Sequence, residues 1–211
     1  MVAGFAYFAS MRIFVLCTGR TGSQSFIEAC RFIDNFSCGH ESRRSLLGSD
    51  RLDYPPNHIE SDNRLSWMLG PLADRFPDDV FYVHLIRDEE ATARSFNRRW
   101  NNPWSIIHAW AEAVLFRNIR DLTDDEKLQI ARDYVRTTNL NIASFLRNKP
   151  HLTVKLEHIQ EDFRLFWHHI QATGNLEEAI GSLTTPHNTG DENELQKSRS
   201  FRIFRKRFIT F

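Results

Sequence analysis

The stretch C-T-G-R-T-G-S-Q-S-F, residues 17–26, constrains this chain of 211 residues more than any other segment. It follows the apolar run R-I-F-V-L-C at 12–17 and leads into a segment with helical patterning from about Ser23 to Phe32. A short apolar run that ends in glycines reads as a buried strand turning sharply into a helix. Gly19 and Gly22 let the backbone turn tightly and bring its N–H groups close to an anion. Ser23, Gln24 and Ser25 open the helix, where free amides and the positive dipole end favour negative charge. Arg20 adds a planar fork suited to oxyanions. A serine-capped turn with an exposed arginine has the same composition, so the turn alone is a weak signal of anion binding.

The rest of the chain supplies the frame. V-F-Y-V-H-L-I at 80–86 is the strongest strand, rich in β-branched and aromatic residues. Asp88 caps the helix D-E-E-A-T-A-R-S-F-N-R-R, whose first-turn acids suit the helix dipole, and Asn102-Pro103 breaks it. From Ser105 to Asn118, the residues Ile106, Ile107, Trp110, Val114 and Leu115 fall on one helical face. Thr123 and Glu126 form a capping box for a helix running towards Asn148. L-T-V-K-L-E at 152–157 reads as a strand, followed by a helix to a C-capping Gly174. A short strand is expected near His58-Ile59-Glu60, then a helix that starts at Ser61 or Asp62. The segment with Cys38, Gly39, His40, Glu41 and Ser42 reads as a polar loop up to Pro55-Pro56.

Strands alternating with helices imply an α/β fold with a mainly parallel sheet and helices on both faces. Ligands of such sheets sit at the carboxyl ends of the strands, which puts the 17–26 turn, Glu60 and Arg87 along one edge. No repeat or low-complexity linker divides the chain, so residues 11–211 are expected to form one domain, with 1–10 as an extension. That extension is apolar but has no basic start, and Arg12 interrupts it before the length of a membrane span. No transmembrane helix is expected.

Lys+Arg and Asp+Glu balance at 27 each, so nothing draws the whole chain to nucleic acid or to an acidic membrane. Three cysteines, Cys17, Cys30 and Cys38, without metal-like spacing are expected to be reduced thiols of a cytoplasmic protein. Nine histidines include His168-His169 but no i,i+4 zinc pattern, and no metal is predicted.

T-G-R-T-G-S-Q-S-F resembles the 5′-phosphosulfate loop of the PAPS-dependent sulfotransferases, in the arginine-bearing version of carbohydrate and bacterial members. V-H-L-I-R-D-E-E-A-T-A-R-S-F resembles their 3′-phosphate motif, an Arg followed eight residues later by a Ser. V-K-L-E-H-I-Q-E-D-F is similar to the stretch written YEDL in many relatives. The three occur in family order between residue 12 and about residue 165. The resemblance implies the sulfotransferase fold, a relative of the P-loop nucleoside triphosphate hydrolases, with PAPS as co-substrate, PAP as product and no metal. It implies Arg20 as the catalytic cation, residues Gly19, Arg20, Thr21, Gly22, Ser23, Gln24 and Ser25 on the 5′ end, and Arg87 with Ser95 on the 3′-phosphate.

The acceptor, a hydroxyl or amine of a small or carbohydrate-like molecule, must lose a proton, which calls for a carboxylate or histidine near the loop. Relatives with a Glu after the first helix point to Glu41, with His40 beside it. At the place where cytosolic relatives carry a His, Glu60 and Asp62 lie nearest. The order of expectation is Glu41, His40, Glu60, each of which serves equally well as a polar loop or capping residue.

A kinase-like enzyme using ATP and magnesium is the chief alternative. Against it, no Lys precedes Ser23 or Ser25, and Arg87 stands where a magnesium-holding Asp would be expected. A nucleotide-binding module without a base is the third reading. Trp100, Trp104 and Trp110 are expected in the core, although tryptophans also stack on sugars. The loop with His187 and Asn188 and the six basic residues between 197 and 207 are further candidates, for the nucleotide pocket and for an anionic surface.

Overall fold

The computed structural model of the protein describes residues 11–184. Residues 1–10, the His187-Asn188 loop and the basic segment 197–207 lie outside the described residues. The expected alternation is realised as a five-stranded sheet of order β2-β3-β1-β4-β5. Its strands are β1 (Arg12–Leu16), β2 (Ser37–His40), β3 (His58–Ser61), β4 (Val80–Ile86) and β5 (His151–Lys155), and every neighbouring pair is parallel. The helices are α1 (Ser23–Cys30), α2 (Leu69–Arg75), α3 (Glu89–Arg98), α4 (Ile106–Ala109), α5 (Asp124–Leu146), α6 (Ile159–His169) and α7 (Leu176–Leu183).

Alternate residues of the central strands feed two different cores, which is why their apolar runs are unbroken. Ile13 and Val15 of β1 with Phe81, Val83 and Leu85 of β4 face α1 and α6, where Phe26 packs against Phe163 and Phe166. Phe14 and Leu16 with Val80 and Tyr82 face Ile142 and Leu146 of α5. A third cluster joins α3 to α5 through Ala93, Phe96, Ala131, Tyr134 and Val135. Thus α1, α6 and α7 cover one face, while α5, between β4 and β5, covers the other. The crevice between the carboxyl ends of β1 and β4 is the switch point of the sheet, where ligands of such folds bind.

Two of the caps read from the sequence are in place. Asp88 Oδ1 accepts from Ala91 N at 2.8 Å, and Thr123 and Glu126 form their reciprocal box. Other expectations are corrected. The segment around Cys38 is not a loop: Ser37 to His40 pair with His58 to Ser61 as an edge strand. Asp62 caps a 3-10 turn, Asn63–Trp67, rather than a full helix. The helix after β5 ends at His169, and Gly174 instead bridges to Ile33 in antiparallel fashion. The stretch expected as one helix from 105 to 118 is α4 followed by a π-helical turn, Trp110–Val114. Of the three tryptophans expected in the core, Trp100 is buried and Trp110 half-buried, but Trp104 is 90% exposed. Trp104 lies in the turn between α3 and α4 with a left-handed φ of 65°.

Phe26 sits between the loop helix and α6 with no exposed surface. Phe26→Ala is expected to cost about 3–5 kcal/mol. Urea unfolding checks this: the midpoint falls while the denaturant slope is unchanged.

Candidate functional site

The turn after β1 runs through three left-handed residues, Gly19 (φ 85°), Arg20 (φ 62°) and Gly22 (φ 87°). Glycine adopts this region freely; for Arg20 it costs on the order of 1–3 kcal/mol, which the surroundings must offset. A Cβ at Gly22 would also lie 2.6 Å from Leu156 Cδ1, at the end of β5. The turn is held by its carbonyls. Tyr134 of α5 donates to Thr18 O at 2.7 Å, and Asn63 Nδ2 donates to the same oxygen at 3.4 Å. Arg87 Nη1 donates to Arg20 O at 3.4 Å. Among the described residues no side-chain hydrogen bond caps the N-terminus of α1, which follows the turn directly. Thr21 Oγ1 is buried without a nitrogen or oxygen partner among the described residues, although the Cys17 thiol lies beside it.

The sheet register explains which residues meet. Leu16 pairs with His84, so Arg87, just past the end of β4, is level with the turn. Arg20 Nε in turn donates to Ser95 Oγ of α3 at 3.4 Å. Arg20, Arg87 and Ser95 therefore form one cluster, with Ser95 buried. On the other side, Val15 pairs with Ser61 and Ser61 with His40. This carries His40, at the end of β2, to the first residue of α1, where its Nε2 lies 3.1 Å from Ser23 Oγ.

The two glutamates behave differently from each other. Glu41, at a φ of 50°, pairs with Arg64 and Arg44, each at 3.1 Å. Burial pushes its pKa up, but the Arg64 charge and the Arg44 hydrogen bond outweigh that and hold it below the usual carboxylate range. Glu60 is fully buried, accepts from Ser42 N (2.8 Å) and Ser42 Oγ (2.6 Å), and lies 3.1 Å from His58 Nε2. Asp62 is also fully buried, 2.5 Å from Arg51 Nη2, and its other oxygen accepts from Arg64 N. The sequence reading passed over Asn63, Arg64, Arg51 and Tyr134. Their partners lie far along the chain, and the one local signal, a cap at Asp62, pointed only to a helix start.

The thiols are spectators. Cys17 is pushed up to about 11 by burial under the turn, and Cys30 is raised by burial as well; all three cysteines are free. Among the described residues no helix is long and apolar enough to cross a membrane.

Beside the turn runs an open groove of about 510 Å³, lined by Ser66, Trp67, Trp110, Thr138, Asn141 and Phe145 among others and by no charged side chain. Trp110 lies 5.6 Å, centroid to centroid, from Tyr134, whose hydroxyl holds the turn, so one aromatic ring separates groove and loop.

Two solved structures share this architecture. One is the sulfotransferase domain from the Synechococcus PCC 7002 olefin synthase, at 16% identity and a TM-score of 0.57, the match covering 87% of this chain and 82% of that one. The other is mouse sulfotransferase SULT7A1 complexed with PAP, at 14% identity and a TM-score of 0.54, covering 84% of this chain and 64% of the mouse chain. No protein-family model matches the sequence, and no curated protein does. The chain has the sulfotransferase fold.

Because the native pKa of Glu41 is depressed, its charge stabilises the fold above the unfolded carboxylate pKa of about 4.3, and the contribution fades as pH falls through the native value. Glu41→Gln is therefore expected to be less stable than the wild type at pH 7, with the difference closing on acidification below pH ~4. Urea titrations at both pH values measure it.

Proposed function

We propose that the protein is a sulfotransferase that moves a sulfuryl group from PAPS to a hydroxyl or amine of a small or carbohydrate-like acceptor, leaving PAP. The observation that carries this reading is the meeting of Arg20 with Arg87 and Ser95, which lie 67 and 75 residues further along the chain, beside an uncapped helix N-terminus. A nucleotide with anionic groups at both ends needs two separate stations of donors and positive charge. The turn and the start of α1 fit the first; Arg87 and Ser95, which touch Arg20 through its carbonyl and its side chain, fit the second, with Arg20 between the two. The buried Thr21 hydroxyl without a nitrogen or oxygen partner fits a ligand oxygen. The likeness of fold to a sulfotransferase complexed with PAP supports the same choice.

PAPS, when bound, supplies a sulfuryl group on a phosphate leaving group. On this reading the amides and hydroxyls of residues 21–25 hold its 5′ end, and Arg20 stabilises the charge that develops on the departing phosphate. Arg87 and Ser95 hold the 3′-phosphate and so set PAPS apart from ATP. His40 takes the acceptor proton. Its imidazole rests on Ser23 at the mouth of the turn, whereas Glu41 is held by two guanidiniums and Glu60 is buried. Sulfuryl transfer needs less charge neutralisation than phosphoryl transfer, so two arginines and a helix N-terminus are a sufficient electrostatic set. The groove beside Trp110 has neutral hydroxyl and amide groups next to aromatic faces, which supports an uncharged acceptor surface there.

Thermal unfolding with PAP tests the donor. At a hundredfold excess over its Kd, PAP is expected to stabilise the protein by about 2.7 kcal/mol, a rise in Tm of several degrees that Arg87→Ala removes. A response to Mg-ATP without one to PAP overturns the assignment in favour of a kinase-like enzyme.

A further inference from the structure

The imidazole assigned to proton transfer stands at the end of an edge strand, followed by a residue with left-handed backbone. β2 has four residues and, among the described residues, a neighbour on one side only. Such a strand end frays unless something fixes it. The fixing group lies in β3. Glu60 pairs in register with Gly39, and its carboxylate leans across that residue: a Cβ at Gly39 would lie 2.5 Å from Glu60 Oε2. From there it collects both donors of Ser42, the backbone N–H on Oε1 and the hydroxyl on Oε2. Gly39 and Ser42 thus lie against one buried carboxylate, and His40 and Glu41 are the residues between them.

The carboxylate is itself held from behind. His58 Nε2 lies 3.1 Å from Oε2, and Ser37 Oγ lies 2.8 Å from His58 Nδ1. Tyr54 stacks on the His58 ring at 5.8 Å and 16°. Three polar atoms, Ser42 N, Ser42 Oγ and His58 Nε2, converge on the Glu60 carboxyl group. Burying such a group is costly unless it is fully paired, so this chain of contacts gives one geometry a large advantage over its neighbours.

We propose that Glu60, backed by His58, is a positioning residue that clamps the Gly39–Ser42 turn so that His40 Nε2 stays on Ser23 Oγ at the start of α1. The assignment deepens the sulfotransferase reading, on which His40 is the base, and gives Glu60 a role without contact to substrate. It also accounts for the glycine at position 39, where any side chain would displace the carboxylate.

The test reads His40 directly. Two-bond 1H–15N correlation spectra of the full chain report the hydrogen-bond state of each imidazole nitrogen, with His40 identified by its loss in His40→Gln. Wild type is expected to show one hydrogen-bonded Nε2 signature for His40. In Ser42→Ala, a change at an exposed residue that leaves the fold intact by circular dichroism, the signature collapses to that of an averaging, unconstrained imidazole; Ser42→Thr restores it. Glu60→Gln, equal in volume, is expected to reproduce the collapse. Unchanged His40 signals in both Ser42→Ala and Glu60→Gln overturn the proposal whether or not PAP binds. A separate arm adds PAP: affinity within about threefold of wild type in Ser42→Ala, with the His40 response to PAP lost, supports the clamp. If wild type shows the clamp signature but does not bind PAP, the positioning role stands and the sulfotransferase reading falls.

Discussion

Everything in the site depends on how the carbonyls of one turn are tied down. Thr18 O accepts from Tyr134 and Asn63, and Arg20 O accepts from Arg87, so three elements hold the turn by its acceptors. A peptide unit whose oxygen is fixed on one side presents its N–H on the other. The left-handed angles at Gly19, Arg20 and Gly22 then bring successive amides to one concave side, the arrangement that attracts anions. The strain at Arg20 is tolerable because its carbonyl and its side chain are each engaged, with Arg87 and Ser95.

The sheet order makes those bonds geometrically available. β1 lies between β3 and β4, so residues just past the ends of both neighbours flank the turn: Asn63 from one and Arg87 from the other. β2 sits one strand further out and reaches the turn only through α1, by the contact of His40 with Ser23. The half of the site with Arg87 and Ser95 and the half with His40 therefore come from opposite sides of β1. A molecule bound between them would touch both only if it spanned the end of the central strand.

Much of this was legible in the sequence, for local reasons. β1 and β4 are unbroken apolar runs buried on both faces, and Asp88 and Thr123 cap their helices through side chains within three residues. Arg20, Arg87 and Ser95 were named from motif spacing, and the register brings them together. What stayed hidden depends on distant partners. Ser37–His40 contains no β-branched residue and is a strand only because β3 lies beside it. Tyr134 looks like an ordinary core aromatic of α5 until its hydroxyl is seen on Thr18 O, 116 residues away. Glu60 and Glu41, alike as candidates in the sequence, separate in the fold because one faces Ser42 and His58 inside the sheet and the other faces Arg64 and Arg44 at its edge.

The all-parallel topology has a consequence for the order of events in folding. No two sequential strands join through a tight hairpin, and the bonds that shape the turn reach from residue 18 to residues 63 and 134 and from residue 20 to residue 87. Contacts of such sequence separation form late, because the loop entropy they cost is repaid only once the intervening segments are in place. The shape of the turn is thus a product of the finished fold: a chain that has not yet reached α5 has the glycines and the arginine of its turn but lacks the Tyr134 hydroxyl on Thr18 O.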